Sequence, residues 1–245
     1  MDTPFTDAYD MGFLLETMMG PNAMRITEEL ASFLPITPGM RILDLGCGMG
    51  ISSILLAEKY KAEVVAADLW ISPTDNARRF ARLGLKSQIF PLSIDATKDL
   101  PFAHEYFDMI ISVDSYQYFG THEKMLGRLL PFVKPEGFIA IAVPGFIQDF
   151  GPQDLPPEIQ PFWTPEWYFY SPPWWRALWA QEPGITITHC REMDSCQQAW
   201  DEWLRSPNPH AQGDIPMMEA GAGKYFNIVQ LIGRKAGGKK ETDRG

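Results

Sequence analysis

The sequence is poor in cysteine, in histidine and in positive charge. Three Cys (Cys47, Cys190, Cys196) in 245 residues cannot form a disulfide framework, and the odd count fits a reducing compartment. Lys and Arg number 21 against 31 Asp and Glu, for a formal net charge of -10. The body is more acidic still. Arg234, Lys235, Lys239, Lys240 and Arg244 face only Glu241 and Asp243 in the tail, which leaves -13 elsewhere. Such a body lacks the attraction behind most non-specific nucleic-acid affinity, so no nucleic-acid partner is expected. Long hydrophobic runs are missing too. The longest uncharged apolar stretch, 138–148, is too short and too broken to span a bilayer. The N-terminus MDTPFTDAYD has no basic segment ahead of an apolar one, so no secretory signal is expected and a cytoplasmic location is. His189, Cys190, Cys196 and His210 match no zinc spacing, and no metal is expected.

What is present is a globular composition, 45% hydrophobic and 21% charged. From residue 40, short apolar runs alternate with helical stretches. Strands are expected at 41–45, 63–67, 88–92, 107–113, 138–143, 185–188 and 226–232, and a helix at 122–130 among others. That alternation indicates βαβ units, and near-continuous apolar strands indicate a sheet covered on both faces. The expected fold is α/β, a mostly parallel seven-stranded sheet with helices on both faces. Residues 1–38 read as an N-terminal helical lid, 39–145 as the core and 184–235 as its C-terminal part. The tail 236–245 reads as disordered. Between them, residues 146–183 hold much of the proline and five of the eight Trp, and they read as an irregular aromatic-rich cap.

The strongest local signal is Leu43-Asp44-Leu45-Gly46-Cys47-Gly48-Met49-Gly50, where a strand ends, three glycines alternate and a helix begins. Glycine permits a tight turn and close backbone approach to a ligand. The spacing is GxGxG, whereas the dinucleotide fingerprint places its third glycine one residue later, at Ile51 here. Asp44 would repel a pyrophosphate and suits an amine. Asp68 closes the second strand, where a carboxylate can accept both hydroxyls of a ribose. Asp95-Ala96 follows the third strand, where an adenine amino group can be read. In order along one sheet edge, these features describe a nucleoside carrying an amino acid.

On these residues the chain resembles the class I S-adenosylmethionine-dependent methyltransferases. Further support comes from Leu100-Pro101-Phe102, from Phe107-Asp108 at the fourth strand, and from Leu129-Leu130-Pro131-Phe132-Val133-Lys134-Pro135-Glu136-Gly137 leading into the fifth. Within the family it looks most like small-molecule enzymes of the ubiquinone/menaquinone-biosynthesis and sarcosine-methylating type. The resemblance implies a Rossmann-like class I fold and S-adenosyl-L-methionine as cofactor. It implies that Gly46, Cys47, Gly48 and Gly50 lie under the methionine part, with Asp44 near its amino group. It implies Asp68 at the ribose, Leu69, Trp70, Asp95 and Ala96 at the adenine, and Asp114 near the sulfonium.

Methyl transfer from a sulfonium needs alignment more than covalent help. A base is needed only if the acceptor must lose a proton, and His122 and Tyr116 are the candidates for that role. Tyr9, Tyr118, Trp163, Trp167 and Trp174 are expected to line the acceptor site, as a wall for an aromatic or cationic small molecule. Gly20-Pro21-Asn22 is a candidate hinge for the lid. Ser171-Pro172-Pro173-Trp174 resembles a motif of amino-methylating nucleic-acid enzymes, but it lies beyond the fifth strand instead of after the fourth. The expectation is a small-molecule methyltransferase, monomeric or homodimeric. The competing reading is a protein that binds the same cofactor without catalysis.

Overall fold

The computed structural model describes residues 3–151 and 154–237, so most of the tail expected to be disordered lies outside the described residues. Seven strands form one sheet: β1 (Arg41–Leu45), β2 (Glu63–Asp68), β3 (Ile89–Ser93), β4 (Phe107–Val113), β5 (Val133–Phe146), β6 (Ile185–Glu192) and β7 (Phe226–Lys235). Their order is β3-β2-β1-β4-β5-β7-β6. β1 to β5 run parallel, and β7 runs antiparallel to both its neighbours. The chain therefore works outward from β1 to β3 and then restarts at β4 on the other side. The carboxyl ends of β1 and β4 face a reversal of strand order, the place where open α/β sheets bind ligands.

Side chains alternate across each strand, and the two faces carry separate cores. Ile42, Met109, Ile111, Ala140 and Ala142 face one core, shared with Leu14, Met24, Ile54 and Trp203. Leu43, Ile110, Ile139 and Ile141 face the other, shared with Tyr116, Leu126, Trp175 and Trp179. The helices that cover the faces are α1 (Met11–Thr17), α2 (Ala23–Ala31), α3 (Ile51–Tyr60), α4 (Pro73–Arg82), α5 (Met125–Leu129), α6 (Pro172–Trp179), α7 (Cys196–Trp203) and α8 (Pro209–Glu219).

The N-terminal helices are tied down at the far end of the chain. The Asn22 side chain caps α2 by accepting from Met24 N and Arg25 N, and its Nδ2 donates to Glu202 Oε2 at 2.6 Å. Arg25 donates to both oxygens of Glu202, at 3.0 and 2.5 Å, and to Asp7 at 2.8 Å. Glu29 accepts from Asp194 N, Ser195 N and Gln230 Nε2. Both Arg25 and Glu202 are buried. Segment 17–23 is thus held across the mouth of the sheet by α2 and α7 together.

Besides longer β6 and β7 and the unexpected helix α8, two elements differ from the sequence expectation near the site. β5 begins five residues early, because Val133 pairs with Phe107 before a register break that Glu136, at φ 66°, accommodates. The helix expected over 122–130 is only Met125–Leu129. His122 Nδ1 accepts Lys124 N at 3.2 Å, which closes a local turn in place of the first helical turn, and Pro131 follows the last.

Candidate functional site

The glycine loop is built from backbone hydrogen bonds and one carboxylate. Gly46 N and Cys47 N both donate to Ala67 O, at 2.7 and 3.0 Å, which pins the loop to the end of β2. Gly48, at φ 54°, faces Met19, and a Cβ there would come 3.1 Å from Met19 Sδ. Gly50, at φ 85°, caps α3, and a Cβ there would enter the Phe80 ring. Beneath the loop Asp44 is fully buried. Its Oδ2 accepts from Ser52 Oγ at 2.5 Å and Ser53 Oγ at 2.6 Å, while Oδ1 has no partner. Burial pushes its carboxyl up to about 6, against the two serine donors, with the Asp68 charge adding to the rise.

Asp68 organises two loops at once. Its Oδ2 accepts Gly48 N at 2.8 Å, and its Oδ1 accepts Trp70 N and Ile71 N, each at 2.8 Å. It is nearly buried. The carboxylate therefore fixes the glycine loop relative to the turn that presents Leu69 and Trp70. Asp95 accepts Thr97 N and Thr97 Oγ1, and these bonds hold its carboxyl below the usual range.

These elements enclose a cavity of about 260 Å³. One wall is Gly46, Cys47 and Gly48; a second is Asp68, Leu69 and Trp70; a third is Asp95, Ala96 and Thr97. Asp114, Ser115, Tyr118 and Phe119 after β4 form the fourth, and Thr17, Met19, Gly20, Pro21 and Ala23 close over it from the N-terminal segment. The lining charges are three carboxylates, with no Lys, Arg or His among the described residues. Burial pushes the Cys47 thiol well up, so it stays protonated.

Asp114 has the least compensated carboxylate of the three. It sits at φ 51° at the end of β4, and Oδ1 accepts Gln117 Nε2 at a long 3.3 Å. Gly20 lies so close that a Cβ on it would overlap Asp114 Oδ2, so glycine is required there by close approach and not by a positive φ. Burial raises the Asp114 carboxyl to about 7, which Gln117 opposes and the nearby Asp214 reinforces. Tyr118, beside it, is raised to about 12 by burial and then by the Asp114 charge.

Residues 42–137 match a family model described as a methyltransferase domain. The match begins at β1 and ends at the start of β5, so it spans the glycine loop, Asp68, Asp95 and Asp114. Residues 42–137 are a methyltransferase domain. Phosphoethanolamine N-methyltransferase 3 of Arabidopsis thaliana is 29% identical over 126 residues, which cover 51% of this chain and 25% of that protein. Methyltransferase GfsG of Streptomyces halstedii is 31% identical over 119 residues, covering 48% of this chain and 42% of that one. The chain thus spans between a quarter and a half of the length of these curated relatives. Among solved structures, phosphoethanolamine N-methyltransferase 2 of Haemonchus contortus, in complex with S-adenosyl-L-methionine, superposes with a TM-score of 0.72 at 18% identity. That superposition covers 95% of this chain and 58% of the other, and it shows a shared fold. The fold is the class I methyltransferase fold.

The methyltransferase domain brings together Gly46, Cys47, Gly48, Asp68, Leu69, Trp70, Asp95, Ala96, Asp114 and Tyr118 of the residues singled out in the sequence. It leaves others outside the cavity. Asp44 and Gly50 lie beneath the loop, where they shape it. His122 is exposed on its local turn, since the helix it was expected to start forms three residues later. Tyr116 is buried in the opposite core between Trp175 and Trp179, at ring distances of 5.9 and 6.0 Å. Its hydroxyl has no acceptor and is pushed out of the titrating range by burial. Tyr9 packs between Phe5 and Phe13 in the N-terminal segment, outside the cavity.

The aromatic insert also departs from its expected role as a wall of this cavity. Trp163 and Trp174 line a different cavity of about 420 Å³ with Phe146, Phe150, Phe169 and Tyr170. Trp167 packs on Trp163 and Phe169. The reason is that β5 runs on to Phe146, which carries the insert away over the β5–β7 end of the sheet, where Phe226 receives it. Conversely, Thr17, Ala23, Thr97, Ser115 and Phe119 reach the cavity unannounced. The Gly20-Pro21-Asn22 signal marked the segment, but not which of its side chains point inward.

Proposed function

We propose that this chain is an S-adenosylmethionine-dependent methyltransferase acting on a small-molecule acceptor. The observation that carries the reading is the cavity bounded by the glycine loop, Asp68 and Asp95 at the carboxyl ends of β1 to β3. The residues present fit such a cofactor. Gly48 offers a surface without a side chain. Asp68 Oδ2 has accepted one donor only, so it keeps an acceptor position for a ribose hydroxyl. Ala96 and the flank of Trp70 offer apolar surface for a flat base. When bound, the sulfonium supplies a methyl group already activated for displacement. The chain's own part is to hold the donor, align the acceptor and exclude water, and alignment of this kind is worth about 7–11 kcal/mol in favourable cases.

The acceptor side is then the region around Asp114, Tyr118, Phe119, Met19 and Gly20. Its carboxylate, and the lack of any lining base among the described residues, favour an acceptor that is neutral or cationic. Calorimetry with S-adenosylmethionine, S-adenosylhomocysteine and NADH tests the cofactor reading; binding of NADH in place of the sulfonium would overturn it. Transfer of a labelled methyl group to a panel of small acceptors tests catalysis. Tight cofactor binding with no transfer to any acceptor would favour a non-catalytic binding protein.

A further inference from the structure

We propose that the acceptor is an organic amine without a phosphate or carboxylate group, bound as its ammonium by Asp114 and deprotonated there. The proposal rests on the methyltransferase reading and narrows it. Asp68 and Asp95 already accept two or three donors each, whereas Asp114 accepts one long hydrogen bond from Gln117. No ion pair reaches Asp114 among the described residues. The groups that face it are Asp214 from α8, Gln117 and Tyr118 from the turn after β4, and the uncharged Gly20 from the N-terminal segment. Asp214 lies outside the cavity lining and accepts Trp203 Nε1, but its charge still disfavours an ionised Asp114, and a cationic ligand relieves that repulsion and the desolvation of Asp114.

The rim agrees with this chemistry. Trp70 is 71% exposed and Tyr118 is 53% exposed, and their rings meet at 5.9 Å across the mouth. Met19 is also exposed beside the glycine loop. The Tyr118 ring and Met19 attract an ammonium and cover the apolar body that bears it, while the flank of Trp70 stays with the base. An acceptor whose phosphate or carboxylate lay beside Asp114 would meet a carboxylate that no described cation pairs with. The chain thus differs from what the names of its phosphoethanolamine relatives suggest, since no cation lines this cavity among the described residues.

The chemistry balances. An ammonium has no lone pair and cannot attack a methyl group. At Asp114 the N–H bond breaks, its electron pair stays on nitrogen, and the proton forms an O–H bond with the carboxylate. The neutral amine then carries the nucleophilic pair, and the proton leaves Asp114 for water. Burial has raised the Asp114 carboxyl to about 7, where a proton acceptor works near neutrality.

Binding of probes to the chain saturated with S-adenosylhomocysteine tests this by calorimetry. The probes are benzylammonium, benzyl alcohol and benzoate at pH 8. The expected result is a preference for benzylammonium over the alcohol of about 10-fold or more, with benzoate weakest. Asp114→Asn, which tolerates the same left-handed backbone, should abolish the preference. So should acidification of the parent through the range near 7, where Asp114 takes up its proton. Asp214→Asn should move that loss to lower pH, a shift that a merely structural Asp114 would not show. A parent that binds the alcohol or benzoate as tightly as the ammonium, or no ammonium at all, overturns the proposal. So does a preference that survives Asp114→Asn. Titration of S-adenosylhomocysteine into the same samples separates the two levels. If it binds and the ammonium preference is absent, only the amine inference falls; if it does not bind, the methyltransferase reading falls as well.

Discussion

Asp68→Asn should loosen the glycine loop before any ligand is added. The carboxylate serves Gly48 N with one oxygen and Trp70 N and Ile71 N with the other, each at 2.8 Å. A carboxamide has one oxygen. It will keep the two donors of the Trp70 turn and present its own N–H₂ to Gly48 N–H, donor against donor. A hydrogen bond to a charged group is worth about 1.5–3 kcal/mol, and the Gly48 amide it would orphan is half-buried. In a chain of this length that corresponds to a fall in melting temperature of roughly 3–12 °C. Differential scanning calorimetry of the ligand-free protein reads the fall, and amide hydrogen exchange locates it. Exchange should quicken at Gly48 and stay slow at Trp70 and Ile71. The loop should then hold S-adenosylhomocysteine at least about 10-fold more weakly. An unchanged melting temperature together with unchanged protection at Gly48 would refute the idea that one carboxylate positions both loops.

Asp114→Asn should stabilise the protein in a pH-dependent way. The native carboxyl titrates at about 7 and the unfolded one near 3.8, so the native state holds a proton that the unfolded state releases. That stability is present below 3.8 and is lost as pH rises through about 7. The variant should therefore gain on the order of 2 kcal/mol at pH 8 and little at pH 4 in denaturant titrations; a gain equal at both would contradict the assignment. Gly50→Ala should cost more than about 2 kcal/mol, because φ is 85° and the new Cβ would meet the buried Phe80 ring; a neutral result in the same titration would show that α3 shifts freely. Glu202→Ala should cost about 3 kcal/mol and release the N-terminal segment to limited proteolysis, since Arg25 then keeps only Asp7; a loss below about 1 kcal/mol would make the anchor incidental.

The parts of the site legible in the sequence were those that the backbone itself dictates. Gly46 and Gly48 had to be glycine where the chain turns with positive φ and where Ser115 and Met19 approach closely. Asp68 and Asp95 stand at strand ends, and strand direction decides where such side chains sit. His122 and Tyr116 were misplaced because two neighbouring positions on one loop can face solvent, cavity or the opposite core. That choice is made by α6, which supplies Trp175 and Trp179 as partners for Tyr116 from far along the chain. The aromatic insert was legible as an insert but not in its address. Where it lands depends on how far β5 continues and on Phe226, 80 residues after Phe146 and paired with it. The sequence marked the segment with Met19 and Gly20, but not what holds it over the cavity. That hold depends on the buried Arg25–Glu202 contact, whose partners are 177 residues apart.

The exposed ring at the cavity mouth makes the protein its own optical sensor. Of the eight Trp only Trp70 is exposed, and the other seven are partly or fully buried. Its emission should be the reddest and the most open to a dissolved quencher such as iodide. Anything that settles between Trp70 and Tyr118 will shield that one indole and leave the rest unchanged. Occupancy of the cavity can then be followed by light on the unlabelled chain, one ring reporting for the whole entrance.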